Sequence, residues 1–131
     1  TVDISLYSGG LLADGPHTVT LDASGNYSFT TSAPDGTYDM MIDAGRTWLV
    51  KKVSITVTGG VGTANATVVN GDVNGEGIVD IADYTELALA FDSTPTSGNW
   101  NANADLNGDE IVDIADYTIL ALAFDKVDDV P

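Results

Sequence analysis

Hydrophobic and polar residues alternate along the first half of the chain and change period in the second. Val2–Tyr7 puts Val2, Ile4 and Leu6 on one face and Asp3, Ser5 and Tyr7 on the other, which is the pattern of a half-buried strand. Thr18–Leu21, Asn26–Thr30, Thr37–Ile42, Trp48–Thr58 and Thr63–Val69 are rich in β-branched and aromatic residues, and each predicts a strand. Between these runs stand Gly9-Gly10, Asp14-Gly15-Pro16, Ser24-Gly25-Asn26, Pro34-Asp35-Gly36, Ala44-Gly45 and Gly59-Gly60, residue types suited to tight turns. Strands this short, at this spacing, predict a small all-β antiparallel sandwich over residues 1–69.

From Asn70 onward the apolar period becomes helical. Tyr84, Leu87, Ala88 and Phe91 fall at i, i+3, i+4 and i+7, one apolar face of a helix, and Tyr117, Leu120, Ala121 and Phe124 repeat it. The two helices are expected to pack against each other. The repetition is general: Gly71–Asp92 aligns with Ala104–Asp125 at a constant offset of 33 residues. Near-identity over that length marks a duplicated unit, and two like units commonly pack about a pseudo-twofold axis.

Each copy opens with regularly spaced oxygen-bearing side chains. With Asp72 as position 1, positions 1, 3, 5, 9 and 12 are Asp72, Asn74, Glu76, Asp80 and Asp83; the second copy has Asp105, Asn107, Asp109, Asp113 and Asp116. This is the spacing of an EF-hand calcium loop, in which position 7, here Ile78 and Ile111, contributes its backbone carbonyl. Calcium takes about 6–8 oxygens at about 2.3–2.6 Å, and a chain coiled around it turns alternate residues inward. Two calcium ions are therefore expected. Position 8 is apolar in both copies, and Val79 and Val112 are expected to pair as short strands that couple the sites.

Charge narrows the partners. Twenty acidic residues against four basic ones leave a net charge of −16, which disfavours nucleic acid and anionic membrane surfaces and favours a cation. Without cysteine the chain has no disulfides or thiolate sites. No stretch approaches the ~20 apolar residues of a membrane span. A start at Thr1 with no visible leader is what a mature fragment of a longer protein would have.

Other features have structural explanations. His17, the lone histidine, follows Pro16 in an expected turn and is expected at the surface. Trp48 begins a strand and is expected in a core, and Trp100 is expected to cap the helical core or to touch the sandwich. Arg46, Lys51 and Lys52 read as solvated charges at a strand end. Paired carboxylates could serve a glycosidase, but the clustered ones are committed to the loops, and no catalytic residue is assigned.

Thr63–Asn70 is no entering helix, and position 12 is Asp in both copies rather than the Glu of an ordinary EF-hand. A loop with only its exiting helix, twice over, resembles the dockerin domain, and the resemblance covers Gly71 to Asp125. It implies a non-catalytic, calcium-dependent plug at 70–131, monomeric when unbound, that inserts into a cohesin-like domain and anchors a larger extracellular protein. Three departures stand out. Glu76 is longer than the usual Asp at position 5, and Glu110 stands at position 6, where Gly normally takes the left-handed conformation. Many dockerins carry Ser-Thr at positions 10 and 11 and basic residues at 17 and 18; here those places hold Ile81-Ala82 and Ala88-Leu89, then Ile114-Ala115 and Ala121-Leu122. These eight residues are the candidate partner surface, whose duplication implies two docking orientations about 180° apart.

Rival readings are burial of Ile81, Leu89, Ile114 and Leu122 on the sandwich or on each other, which makes the repeats a structural calcium staple, and a carbohydrate-binding sandwich with the repeats as passenger. Leu21–Phe29 with Pro34–Met40 resembles prealbumin-like modules, including carboxypeptidase regulatory-like and collagen-binding B-type repeats.

Overall fold

The computed structural model describes residues 1–131 and contains two compact units. The first comprises Thr1–Ala44, Val50–Val68 and Asp129–Pro131; the second comprises Gly45–Leu49 and Val69–Asp128. An all-β antiparallel region is thus followed by a helix pair, as the change of period predicts.

Four strands, β1 (Val2–Ser8), β2 (Leu11–Val19), β3 (Gly36–Asp43) and β5 (Lys51–Val57), make one antiparallel sheet in the order β2-β1-β3-β5. The alternation read from β1 holds: Val2, Ile4 and Leu6 are buried with Val19, Tyr38, Met40, Ile42, Ile55 and Val57. Tyr27, Phe29, Ala33, Ala64 and Val68 pack on this cluster from the other side. All but Ala33 come from the runs predicted as strands at Asn26–Thr30 and Thr63–Val69, which instead cover the sheet as irregular segments; only Val69 enters a ladder. Alternation finds a buried face, but a ladder needs a neighbour in register, and these segments have none. They are joined through side chains, the Tyr27 hydroxyl donating to the Ala64 carbonyl at 3.0 Å.

Asp14-Gly15-Pro16 is not a turn between elements. It lies inside β2 as a bulge, where the register steps from Ile4 opposite His17 to Leu6 opposite Asp14. A Cβ on Gly15 (φ +109°) would sit 2.8 Å from the Ile4 carbonyl oxygen, so the close approach of β1 requires glycine. His17 is consequently a half-buried strand residue, hydrogen-bonded to Asp14 at 2.9 Å and packed on the Phe29 ring, rather than a free surface group.

In the second unit a two-residue strand, β4 (Trp48–Leu49), pairs with β6 (Val69–Asn70), and two ten-residue helices follow, α1 (Ile81–Ala90) and α2 (Ile114–Ala123). The predicted strand Trp48–Thr58 is therefore divided, β4 in one unit and β5 in the other. Leu49, Val73, Val79, Leu87, Ala90, Ala104, Leu106, Val112, Leu120 and Ala123 form the core, with Trp100 packed against it.

The buried stripe of each helix keeps only the leucine, Leu87 or Leu120, of the face read by periodicity. Asp83, Leu87 and Ala90 are buried on α1 and Asp116, Leu120 and Ala123 on α2, whereas Tyr84, Ala88, Phe91, Tyr117, Ala121 and Phe124 are exposed. With apolar residues nearly all round each helix, periodicity could not select the face; the acidic loops select it by drawing Asp83 and Asp116 inside. The helices do meet at the rings of Tyr84 and Tyr117, edge to face at 5.7 Å.

Candidate metal centre and docking face

Each loop is wound by its own carboxylates. Asp72 Oδ1 accepts from the amides of Gly75 (2.8 Å) and Glu76 (3.1 Å), and its Oδ2 accepts from Gly77 (2.8 Å). Asp83 Oδ1 accepts from the Asn74 amide at 3.0 Å and its Oδ2 from the Asp80 amide at 2.8 Å. Asp80 is the N-cap of α1, its carboxylate accepting from the Ala82 amide at 2.7 Å. One Asp thus opens the helix while the next, in its first turn, reaches back to close the loop. The oxygens of Glu76, Asp80 and Asp83 lie within 4.8 Å of one another, an all-oxygen cluster able to hold a hard divalent cation. Burial pushes the Asp83 carboxyl up, and the neighbouring Asp72 charge adds to this against the amides of Asp80, Asn74 and Val73. A cation among these groups would relieve both effects.

The second loop repeats the design. Asp105 accepts from Gly108, Asp109 and Glu110, and Asp116 from Leu106, Asn107 and Asp113, while Asp113 caps α2. Asn74 and Asn107 each donate to the side chain at position 5, Glu76 at 2.9 Å and Asp109 at 3.0 Å. Glu110 adopts φ +68° at position 6, where Gly77 has φ +86°, the left-handed conformation expected there. Ile78 is half-buried and Ile111 exposed.

Val79 and Val112, both fully buried, do not pair with each other. Val79 exchanges hydrogen bonds with Asp125 and Lys126 beyond α2, and Val112 with Asp92 and Ser93 beyond α1. Each loop is therefore tied to the exit of the other repeat's helix. The ties are related by the same offset of 33 residues, which is what a pseudo-twofold arrangement demands.

Opposite the buried stripe lies an apolar surface. Ile81, Leu89, Ile114 and Leu122 are 64%, 72%, 64% and 80% exposed. Ala88, Ala115 and Ala121 are exposed and Ala82 is half-buried. Ile81, Tyr84, Tyr117, Leu120, Ala121 and Phe124 line a shallow groove of about 270 Å³ between the helices. The sequence missed Arg46, whose guanidinium donates to the Asn74 carbonyl of the first loop. Spacing gives no hint of a contact made across the intervening strands.

Residues 70–124 match the family model of the dockerin type I domain. The whole chain is similar in structure to an N-terminal interface mutant of a type II cohesin-X-dockerin complex from Acetivibrio cellulolyticus. In that match the TM-score is 0.67 and the identity 20%, over 96% of this chain and 83% of that one. A C-terminal interface mutant of the same complex gives a TM-score of 0.66 at 20% identity over the same shares. At that identity the likeness is one of fold. A type II cohesin-dockerin domain from Bacteroides cellolosolvens matches at 37% identity over 44% of this chain and 85% of that one, with a TM-score of 0.37. Curated protein sequences give no match.

Proposed function

Since residues 70–124 belong to the dockerin type I family, we propose that this chain is a non-catalytic, calcium-dependent docking module. It binds a cohesin-like domain and anchors a larger extracellular protein to a scaffold or cell surface. The observation that carries this reading is the duplicated apolar surface. Ile81, Leu89, Ile114 and Leu122 lie outside the helical core, where a purely structural calcium staple would need them inside. Exposed apolar patches of this kind mark interfaces.

Asp72, Asn74, Glu76, Asp80 and Asp83 with the Ile78 carbonyl would hold one calcium ion. Asp105, Asn107, Asp109, Asp113 and Asp116 with the Ile111 carbonyl would hold the other. Calcium held there would neutralise carboxylates that otherwise repel one another beside the N-termini of α1 and α2. The chain's own residues then do the docking. Ile81, Ala82, Ala88, Leu89 and their repeats Ile114, Ala115, Ala121 and Leu122 offer apolar contact, and the Tyr84–Tyr117 groove accepts protruding side chains of the partner. The pseudo-twofold repeat permits two orientations. A net charge of −16 disfavours nucleic acid, and no helix is long and apolar enough to cross a membrane.

Calorimetric titration of the full chain with a type II cohesin domain, in calcium and then in excess chelator, tests the reading. Binding in calcium and none in chelator is expected. Absence of calcium uptake, or equal binding in both conditions, would overturn it.

A further inference from the structure

The two loops are copies in sequence but not in surroundings. The first is entered from β6, and the amides of Gly71 and Asp72 both donate to the Thr47 carbonyl, at 2.9 and 3.1 Å. Thr47 belongs to Gly45–Leu49, a short piece from far upstream that is part of the helical unit and whose Leu49 is buried in that unit's core. On the same piece, Arg46 lies along the first loop. Its guanidinium donates to the Asn74 carbonyl, and its Cγ, Cζ and Nε fall 3.0–3.5 Å from where a Cβ on Gly75 would be.

The second loop has no counterpart of Arg46; the side chain that reaches its backbone from far upstream is Asn70, whose Nδ2 donates to the Leu106 carbonyl at 2.8 Å, at position 2 rather than position 3. A Cβ on Gly108 would meet nothing within 4 Å. Its entrance is held locally, the Ala104 amide donating to the Asn101 carbonyl at 3.0 Å. Asp72 is 2% exposed and Asp105 is half-buried.

We infer that Arg46 is a positioning residue for the first metal loop, and that the two loops therefore differ in how they are organised to receive an ion. The inference rests on the calcium reading above. In the EF-hand pattern position 3 contributes its side chain, so a donor on the Asn74 backbone carbonyl takes no ligand from the ion. It fixes the peptide between Asn74 and Gly75, whose amide in turn holds Asp72 Oδ1 at 2.8 Å. Arg46 thereby presets the approach of the position 1 carboxylate and the Asn74 side chain. Repulsion between the guanidinium and the ion acts in the opposite sense, but Arg46 is exposed, where solvent and salt screen it.

The test is a calcium titration of the full chain followed by the NMR amide resonances of Gly77 and Glu110. These amides report the loops separately, since they donate to Asp72 Oδ2 and Asp105 Oδ2 at 2.8 and 2.9 Å. Arg46→Ala is expected to weaken filling of the first loop about fivefold, the scale of one lost hydrogen bond, with the second changed less than about twofold. Arg46→Lys, which keeps charge and donor, and Arg46→Gln, which keeps only a donor, should each recover part of the loss. Tighter filling of the first loop in both Arg46→Ala and Arg46→Gln would mean that the guanidinium acts by repulsion and would overturn the inference. Equal weakening of both loops, or no change, would overturn it as well. If neither amide of the unsubstituted chain responds to calcium, the calcium reading itself fails, a result distinct from any difference among the Arg46 variants.

Discussion

Leu87 and Leu89 stand two residues apart on α1 and should separate folding from docking. Leu87 is 1% exposed in the helical core and Leu89 72% exposed on the opposite side. Truncating a buried leucine to alanine costs about 2–5 kcal/mol through lost transfer energy and the cavity left behind. A unit of about 65 residues has on the order of 3–10 kcal/mol in total, so Leu87→Ala should remove a large share of its stability. Leu89→Ala takes away atoms already in water and should change stability by less than about 0.5 kcal/mol. Under a partner those same atoms matter. Three buried carbons at ~0.8 kcal/mol each give about 2 kcal/mol, or roughly thirtyfold in Kd. Because Leu122 repeats Leu89 across the pseudo-twofold axis, each single truncation spares one orientation and should cost only about twofold. The double variant should show the full thirtyfold loss. Urea unfolding in calcium and titration with a cohesin domain read the two effects. The reasoning fails if Leu89→Ala/Leu122→Ala binds within about twofold of the unsubstituted chain, or if it loses as much stability as Leu87→Ala.

Further outcomes follow from the loops and the sheet. Excess chelator should abolish the helical circular dichroism signal of the second unit while the sheet signal persists, because uncompensated Glu76, Asp80 and Asp83 repel one another where α1 begins; an unchanged spectrum would refute this. Glu110→Gly should stabilise the calcium-loaded chain by about 1 kcal/mol, seen as a higher melting temperature, since only glycine adopts a positive φ there without cost. The Thr31 hydroxyl, then the His17 ring and the Ser32 amide, hold the Asp14 carboxyl well below the usual carboxylate range. A depressed folded-state pKa gives stability that is present above the unfolded value of about 3.9 and lost as pH falls below it. Amide exchange in β1 and β2 should therefore quicken as pH drops from about 4 toward 2, after correction for the intrinsic pH dependence of exchange, and Asp14→Asn should flatten that dependence.

The loops show how far spacing alone reaches. Aspartates at positions 1, 9 and 12 of each copy specify their own geometry: Asp72 collects the amides of Gly75, Glu76 and Gly77, Asp80 caps the helix, and Asp83 closes the loop. Every one of these contacts lies within eleven residues, so local chemistry suffices to define them. The strained backbone at Glu110 was legible for the same reason. The buried helix face was not. Ile114–Ala123 is apolar almost throughout, and the choice of Leu120 and Ala123 over Tyr117 and Phe124 depends on where Asp116 is pulled by amides outside the helix. Two predicted strands likewise kept their buried side chains but lost their ladders, because burial follows from composition while pairing depends on a neighbour's register.

What the sequence determined by itself was the local and the repeated: the alternating core of β1, the duplicated acid loops, their caps and the helices they start. Each rests on interactions between residues close in the chain, or on a copy that must fold as its twin does. Tertiary structure decided the remainder. It divided Trp48–Thr58 between two units, crossed Val79 and Val112 to the opposite repeat's exits rather than to each other, and set Arg46 against the first loop alone. Those choices depend on contacts between residues distant in sequence, where the entropy of closing the chain is repaid only by the packing of the whole unit, and no local pattern records them.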